Sequence, residues 1–407
     1  RVRDILIHGA SEYSINWSSE GLVAPGTGSL SNYTVARVLG SSIPSSDYHG
    51  SHCAGTAAGN MFGAAFEANI WSIACIDRSD VGFSEPADGF DYIKVWHKNK
   101  PVNPLTGRKN PTVVNCSWGF RQFFNSNSTY NVSFRGSSYS KTQVDASATA
   151  VPAVYYMSYG FSTYRQFTSV KTTSQSEANE VANDAGCKNM IFVCAAGNSN
   201  GKQEYLNGTD YSNEVTSGTF YYSSGYDNYF NRPGTPAITK LGQPDAWIKV
   251  GSIDADRMSG IQERCSSFSD RGPAIDVWAA GSNILSPYAG SGSFADPRDN
   301  NFYLRQISGT SMATPNVVGV IATYLETNPS ADQAKVREWL FNEGSTIVSA
   351  NDYYDGYQSN SATDAFYWGS SYSLKSSPRR ILYNPYANNH RATISGADLI
   401  GISFKQT

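Results

Sequence analysis

Short apolar runs alternate with segments of helical periodicity along most of the chain. The runs predict buried strands at residues 5–8, 69–76, 112–117, 190–195 and 246–253. Between them, apolar side chains recur every three or four positions, which predicts helices at residues 51–61, 86–98, 175–186, 314–326 and 332–342. This alternation is typical of a three-layer α/β fold, in which helices cover both faces of a mostly parallel central sheet.

Two polar stretches interrupt this pattern. Residues 120–174 are rich in Ser, Tyr, Phe and Asn, and residues 199–241 are rich in Gly, Asn and Tyr. Both are predicted to be insertions near a cleft, although decorative surface loops are equally consistent with their composition. We therefore expect residues 1–349 to form one domain with two insertions. Residues 350–407 are expected to form a C-terminal extension, to which no catalytic role is assigned.

The composition is low in charge. Charged residues make up 16% of the chain, and 34 acidic residues nearly balance 31 basic ones, so nothing indicates a nucleic-acid partner. No apolar run reaches the roughly 18 residues that a membrane-spanning helix needs, so no membrane span is predicted. The chain begins Arg1-Val2-Arg3 without a secretory signal. We expect that a leader or propeptide has been removed or that the sequence begins late.

The six cysteines bear on compartment and on metal binding. Cys53, Cys116 and Cys194 lie in apolar or small-residue segments, and Cys75 lies in an apolar run, so they are predicted to be small buried hydrophobes. This favours a protein that folds in a reducing cytoplasm. No Cys-x-x-Cys pair occurs and the histidines lack metal-ligand spacing, so no metal site is predicted.

Residues 308–320 carry the strongest chemical signal. A turn of small residues that ends at Ser311 enters an apolar helix, with Pro315 predicted in the first turn. This places the Ser311 hydroxyl at the positive end of the helix dipole, where developing negative charge is favoured. A serine in that position can form an acyl-enzyme if a base takes its proton.

Two further polar residues stand at comparable points. His49 opens a helix built from Ala, Gly and Cys, and its imidazole is the candidate base. Asn198 follows the buried strand at residues 190–195. A side-chain amide at the carboxyl end of a strand can donate a hydrogen bond to an oxyanion.

Five segments resemble blocks of the subtilisin-like serine proteases, in that family's order. They are similar to the histidine signature, the substrate strand, the oxyanion segment, a further block and the serine signature: residues 49–56, 113–119, 195–198, 268–281 and 309–315. Ser51 and Cys53 replace the threonine and valine that are more usual in the histidine signature. Together the five segments imply a subtilisin-like fold.

The resemblance implies a role for each matching residue. Ser311 would be the nucleophile, His49 the general base and Asn198 the oxyanion donor. The substrate-binding residues would be Ser117, Trp118, Gly119 and Gly197, and an extended polypeptide substrate would pair with the backbone of Ser117 and Gly119. No cofactor is required, and the family resemblance allows structural calcium.

The resemblance also calls for an aspartate at the end of the first strand, and here the sequence departs from the pattern. His8 or Gly9 would occupy that position. We rank loss of the acid first, replacement by Glu12 second, and Asp4 at the start of the strand last. Asp47 is interpreted as a solvated turn residue. Loss of this carboxylate costs about 10⁴ in turnover in serine proteases.

Two functional hypotheses follow. The first is a serine endopeptidase with an atypical or incomplete triad. The second is an inactive subtilase-fold structural or binding protein. Residues 90–100 and 111–119 resemble, less specifically, subtilase-like proteins of tailed bacteriophages. That resemblance implies a virion or extracellular location and assembly with other virion proteins.

Overall fold

A computed structural model describes residues 2–24, 48–73, 88–123, 125, 128–146, 166–168, 170–221, 225–237, 247–254, 263–288, 294–297, 299–348 and 374–386. The helices in these ranges are α1 Ile5–Glu12, α2 Tyr48–Ala58, α3 Gly89–Asn99, α4 Lys141–Ala146, α5 Thr172–Asn183, α6 Thr310–Thr327 and α7 Gln333–Asn342. The strands are β1 Val2–Asp4, β2 Ile70–Ser72, β3 Thr112–Cys116, β4 Arg121–Phe123, β5 Asn131–Phe134, β6 Ser137–Ser140, β7 Gln166–Thr168, β8 Met190–Ala195, β9 Glu214–Ser217, β10 Ile248–Ile253, β11 Val277–Ala280, β12 Ile284–Tyr288, β13 Phe294–Asp296, β14 Asp299–Ile307, β15 Ser345–Ile347 and β16 Arg380–Leu382.

The central sheet has the strand order β15-β16-β11-β10-β8-β3. Its neighbours from β3 to β16 run parallel, and β15 pairs antiparallel with β16. Side chains of β8 alternate between two cores, because successive strand residues point to opposite faces. Phe192 packs with α3 and α5, whereas Ile191 and Val193 pack with α6 and α7. The predicted three-layer, mostly parallel fold is confirmed.

Helix α6 lies buried against the sheet and against α2. Val317 and Ile321 are fully buried on the same face of the sheet as Ile191 and Val193. A Cβ at Gly319 would lie 2.6 Å from the carbonyl oxygen of Ala57 in α2, so glycine permits a close approach of the two helices. This approach brings the first turn of α2 near the first turn of α6, the two turns that carry His49 and Ser311.

The first apolar run is a helix, so the strand predicted at residues 5–8 is wrong. The strand is β1, which ends at Asp4 and pairs in parallel with β2. Asp4 Oδ1 accepts a hydrogen bond from the N–H of Leu6 at 2.9 Å, which supports the start of α1. A short apolar run fits a buried helix as well as a strand, and periodicity cannot separate the two.

The two predicted insertions pair with each other. Strand β5 of the first pairs antiparallel with β9 of the second, with Val132 opposite Val215. Arg135 reaches across to the buried Asp210, with Nε and Nη2 at 2.8 and 3.2 Å from its two carboxylate oxygens. The described parts of both insertions therefore share a small core of their own, formed by Tyr130, Val132, Val144, Val215 and Phe230.

The described part of the predicted C-terminal extension belongs to the central sheet. Strand β16 lies between β11 and β15, and the indole N–H of Trp278 donates to the carbonyl of Pro378 at 2.7 Å. Leu374 is buried beside Trp278 and Cys265. Residues 374–386 therefore fold onto the same sheet that carries β3 and β8.

The structure also bears on the predictions made for membrane-spanning helices and for the cysteines. Within the described ranges, helices are too short or too polar to span a bilayer. The described cysteines are buried and none takes part in a disulfide: Cys53, Cys116, Cys187, Cys194 and Cys265. Cys75 lies outside the described residues. Folding in a reducing cytoplasm stays a prediction.

Candidate active site

Ser311 is the second residue of α6, directly after the N-cap Gly309 and Thr310. Its hydroxyl donates to the carbonyl of Ser117 at 3.1 Å, and the Ser117 hydroxyl donates back to the carbonyl of Ser311 at 2.8 Å. This reciprocal pair fastens the segment after β3 to the start of α6. The candidate nucleophile therefore lies beside the candidate substrate segment, at the positive end of a helix.

Pro315 explains why the Ser311 carbonyl is available. Helix α6 begins at Thr310, so Pro315 lies in the second turn and not in the first, as the sequence had suggested. Proline lacks the N–H that would bond to the carbonyl four residues earlier. The Ser311 carbonyl instead accepts from the Ser117 hydroxyl and from the Cys53 thiol, at 2.8 and 3.4 Å. One proline thus opens a contact point for both neighbouring elements.

His49 lies in the first turn of α2, one helical turn before Cys53. Its Nδ1 is 3.9 Å from the Cys53 sulfur, which also contacts the Ser311 carbonyl. The imidazole and the serine therefore sit on facing helices with the thiol between them. Burial lowers the pKa of His49, and the nearby His52 lowers it further. The neutral, proton-accepting form is favoured as a result.

The part of the chain that the structure describes places no carboxylate against His49. Glu12 pairs instead with Arg3 at 2.8 Å, and the Asp4 carboxylate accepts from the N–H of Leu6. Asp47 lies outside the described residues. Burial raises the pKa of the Cys53 thiol to about 11, so the group that faces Nδ1 is an uncharged thiol at neutral pH.

Asn198 follows β8 and is held in one orientation. Its Oδ1 accepts from the N–H and the hydroxyl of Thr310, at 2.8 and 2.9 Å. These bonds assign the oxygen and turn the amide nitrogen toward the serine turn. A Cβ at Gly309 would lie 3.3 Å from Asn198 Nδ2. The amide nitrogen therefore lies close to Gly309 in the serine turn, and the oxyanion-donor role of Asn198 stays a prediction.

Gly197 shapes the turn that presents Asn198. Its φ is +114°, a conformation that side chains rarely adopt, and a Cβ there would overlap Oδ2 of Asp270. Its N–H donates to the hydroxyl of Thr310 at 3.1 Å. Gly197 and Asn198 thus bond to the same threonine, next to Ser311.

The candidate substrate segment is only partly open. The Trp118 ring packs against a hydrophobic core, with ring centroids 6.0 Å from Phe90 and 5.5 Å from Phe120. A Cβ at Gly119 would lie 3.3 Å from the carbonyl oxygen of Gly234, which already accepts from the N–H of Phe120 at 2.6 Å. The substrate-binding roles stay predictions.

Comparison with known sequences settles the family. The family model described as "Subtilase family" matches residues 27–369. The chain belongs to the subtilase family. This finding confirms the resemblance read from the five motif segments, and it establishes a subtilisin-like serine protease family and fold.

Curated relatives of this subtilase include fungal proteins. The chain is 26% identical over 308 residues to the "Subtilisin-like serine protease pepC" of Aspergillus niger, covering 74% of this chain and 40% of that protein. It is 26% identical over 302 residues to the "Subtilisin-like serine protease Pen c 2" of Penicillium citrinum, covering 72% and 45%. The chain thus spans less than half the length of either relative.

A solved structure is also similar. It is a cold adapted subtilisin-like serine proteinase, at 20% identity and a TM-score of 0.39, and the match covers 83% of this chain and 74% of that one.

The motifs of the subtilase gave no indication of how two residues, Thr310 and Asp270, bear on the site. Thr310 was seen only as part of the serine turn, although it fixes the orientation of Asn198. Asp270 was seen only as a member of a family block. Its burial under the Gly197 turn comes from a contact between residues 73 positions apart (270 − 197), for which the sequence gives no signal.

The expectation of structural calcium stays a prediction. Among the described residues, no three of the side chains His, Cys, Asp and Glu cluster in a way that could hold a metal ion. The sequence alone assigns no acidic ligands to calcium.

Replacing Gly197 by alanine is expected to lower the free energy of unfolding by about 3 kcal/mol, from backbone strain plus overlap with Asp270. Gly107→Ala is the matched control, because Gly107 has φ +68° and open space around its Cβ position. The control should lose only about 1 kcal/mol. Urea unfolding measures both variants, and equal losses would show that Gly197 and Asp270 are not tightly packed.

Proposed function

We propose that this subtilase is a serine endopeptidase that hydrolyses peptide bonds through an acyl-serine intermediate. The observation that carries the proposal is the hydrogen-bonded set around the start of α6. Ser311 bonds to Ser117, Asn198 bonds to Thr310, and the Cys53 thiol links the His49 helix to the Ser311 carbonyl. Nucleophile, oxyanion donor and base thus converge from three distant segments.

The proposed reaction has two steps, acylation of Ser311 and hydrolysis of the acyl-enzyme, and His49 accepts and then donates a proton in each. Nδ1 of His49 faces Cys53, so Nε2 is the atom that takes the proton as Ser311 Oγ attacks the substrate carbonyl carbon. The Asn198 amide donates to the oxyanion that forms. The imidazolium then gives its proton to the leaving amine, and the C–N bond breaks. Water then gives a proton to His49 Nε2 as its oxygen attacks the acyl carbon, the bond to Ser311 Oγ breaks, and the imidazolium returns the proton to Ser311 Oγ as the acid leaves.

The Ser311 hydroxyl must leave its present hydrogen-bond partner before His49 can take its proton. In the structure the Ser311 hydroxyl donates to the carbonyl of Ser117 and not to His49. Rotation about the Cα–Cβ bond of Ser311 would release the hydroxyl from this carbonyl. The proposed hydrogen bond from Ser311 to His49 is of the kind that often forms fully only when substrate binds. A substrate strand that pairs with the backbone of Ser117 would compete for the same carbonyl, which gives a reason for the hydroxyl to turn.

Hydrolysis of internally quenched peptides tests the proposal. We expect cleavage at internal peptide bonds, with the two new termini identified by mass spectrometry, and loss of cleavage after treatment with phenylmethylsulfonyl fluoride. The rate should be low, because an imidazole without a carboxylate partner costs about 10⁴ in turnover. Cleavage that sulfonyl fluoride does not reduce, or no cleavage at stoichiometric enzyme, would contradict the proposal.

The pH profile tests the environment of His49. The base must be neutral, so activity should rise as pH rises through the His49 pKa. Burial lowers that pKa, so the half-maximal value of kcat/KM should lie below the ordinary imidazole value of about 6.5. Circular dichroism at each pH controls for unfolding. A midpoint above 7 would indicate a carboxylate paired with His49, because such a charge raises the pKa.

A second candidate function is an inactive subtilase-fold scaffold, for example a bacteriophage virion component. It is favoured by the contacts of the two central residues, since His49 meets no described carboxylate and the Ser311 hydroxyl bonds elsewhere. The buried cysteines also suit assembly in a reducing cytoplasm before release. In that case the hydrolysis experiment gives no product. A scaffold assembled with other virion proteins would be located in the virion, or outside the cell after release.

A further inference from the structure

One buried carboxylate, that of Asp270, is hydrogen-bonded to the turn that presents Asn198. Asp270 is completely buried, and Oδ1 accepts from the N–H groups of Ser199 and Gly201 at 2.9 and 2.7 Å. Its own N–H donates to the carbonyl of Gly197 at 2.8 Å. The residues on both sides of Asn198 are therefore bonded to a single side chain and its backbone.

A second buried ionisable side chain, from near the C-terminal end of the described residues, contacts the same turn. Lys375 is only 5% exposed, and its Nζ donates to the carbonyl and to the side-chain oxygen of Asn200, at 2.6 and 2.9 Å. Two residues on, the hydroxyl of Ser377 accepts from the N–H of Gly272 at 2.6 Å. Residues 374–377 thus contact both the turn and the segment that supplies Asp270.

The backbone at Lys375 and Ser376 and the burial of two ionisable side chains each carry a cost in folding free energy. Lys375 and Ser376 adopt left-handed conformations, with φ of +49° and +69°, which non-glycine residues seldom do. Burial raises the pKa of Asp270 and lowers that of Lys375, and each of these charges counteracts the shift of the other. A buried charge pair is weak evidence for a stabilising role, because the cost of removing the charges from water offsets much of the attraction between them.

We propose that Asp270 and Lys375 are positioning residues that act through Asn198, and that residues 374–377 complete the active site of this subtilase. Asp270 holds the turn on both sides of Asn198, and Lys375 holds it at Asn200. Together they fix the backbone from which the Asn198 amide is aimed. The proposal rests on the proposed endopeptidase function, in which that amide stabilises the oxyanion.

Kinetics of single and combined variants test the proposal. An asparagine at position 270 cannot accept both from the turn and from Gln203 Nε2, which donates to Asp270 Oδ2 at 3.0 Å in the native protein. Asp270→Asn and Lys375→Met should therefore each lower kcat about tenfold with KM within twofold, because a misaimed oxyanion donor loses part of its 10²- to 10³-fold effect. In an Asn198→Ala background the same changes should lower kcat less than about twofold, since no amide is left to position. Asn200 has φ +54°, a left-handed conformation that glycine adopts readily. Asn200→Gly is therefore the milder variant, because it removes only the side-chain acceptor of Lys375, and it should lower kcat about threefold.

Asp276→Asn is the matched control. Asp276 is also a buried carboxylate, accepts from a backbone N–H at Lys249 and pairs with Arg337, but it makes none of the contacts described for the Asn198 turn. It should lower the melting temperature as much as Asp270→Asn and leave kcat unchanged. Equal loss of kcat in the control, or undiminished loss in the Asn198→Ala background, would overturn the proposal and assign Asp270 and Lys375 to stability alone.

Amide hydrogen exchange supplies a test that needs no catalysis. Lys375→Met should speed exchange at Ser199 and Gly201 at least about tenfold, and leave the amides of β8 unchanged. Unchanged exchange rates at Ser199 and Gly201 would overturn the proposal that Lys375 holds this turn. If the wild-type protein hydrolyses no peptide, the proposed function fails by itself, and the exchange rates still decide whether Asp270 and Lys375 position the turn.

Discussion

Ser311→Ala is expected to lower kcat for peptide hydrolysis by about 10²-fold. In an intact triad, loss of the serine costs on the order of 10⁶, and loss of the aspartate alone costs on the order of 10⁴. Because no carboxylate among the described residues lies against His49, we expect only the ratio of these two factors to be left to lose. The small size of the expected effect is thus a consequence of the uncharged thiol, in place of a carboxylate, beside His49 Nδ1.

The measurement is single-turnover hydrolysis with excess enzyme, because turnover will be slow. Ser308→Ala is the matched control, since Ser308 lies on the same turn and its hydroxyl accepts only a structural bond from the N–H of Asn283 at 2.8 Å. The control should keep the wild-type rate. A loss near 10⁶ for Ser311→Ala would reveal a carboxylate outside the described residues, and an unchanged rate would remove Ser311 from the reaction.

Asn198→Ala is expected to lower kcat by about 10²- to 10³-fold and to leave KM nearly unchanged. The amide donates to an oxygen that carries negative charge only in the transition state, so substrate binding does not depend on it. Wild type and variant are compared by initial rates over a range of peptide concentrations.

Asn198→Asp is the more demanding companion variant. An aspartate has the same shape and keeps an oxygen for the two bonds from Thr310, at 2.8 and 2.9 Å in the native protein. It removes the donor and adds a negative charge near the oxyanion, so kcat should fall at least as far as in Asn198→Ala. A change confined to KM in either variant would show that Asn198 contacts the substrate ground state and not the oxyanion.

Where both faces of an element are buried, its sequence was sufficient to predict it. The strand at residues 190–195 was predicted with its exact bounds, because the side chains of β8 enter two apolar cores and no polar residue interrupts the run. The strand at residues 112–117 was accurate to one residue. Near the N-terminus the same reasoning failed, because Ile5 and Leu6 are buried in a helix whose start is capped by Asp4.

Some residues of the candidate site could be predicted from the sequence and others could not. Ser311, His49 and Asn198 could be proposed from the sequence because each stands at the polar end of an apolar element. The partners that set their geometry could not. The bond from Cys53 to the Ser311 carbonyl joins residues 258 positions apart, and Lys375 reaches Asn200 across 175 positions. Such contacts depend on how the layers pack, which local periodicity does not encode.

The most direct test of the central claim is covalent labelling by a fluorophosphonate probe. The claim is that His49 activates Ser311 for attack. Mass spectrometry of the digested wild-type protein should locate the adduct on Ser311. In His49→Ala the labelling rate should fall by at least about 10²-fold, the effect of removing a general base. An adduct elsewhere, no adduct, or equal labelling rates in the two proteins would contradict the account.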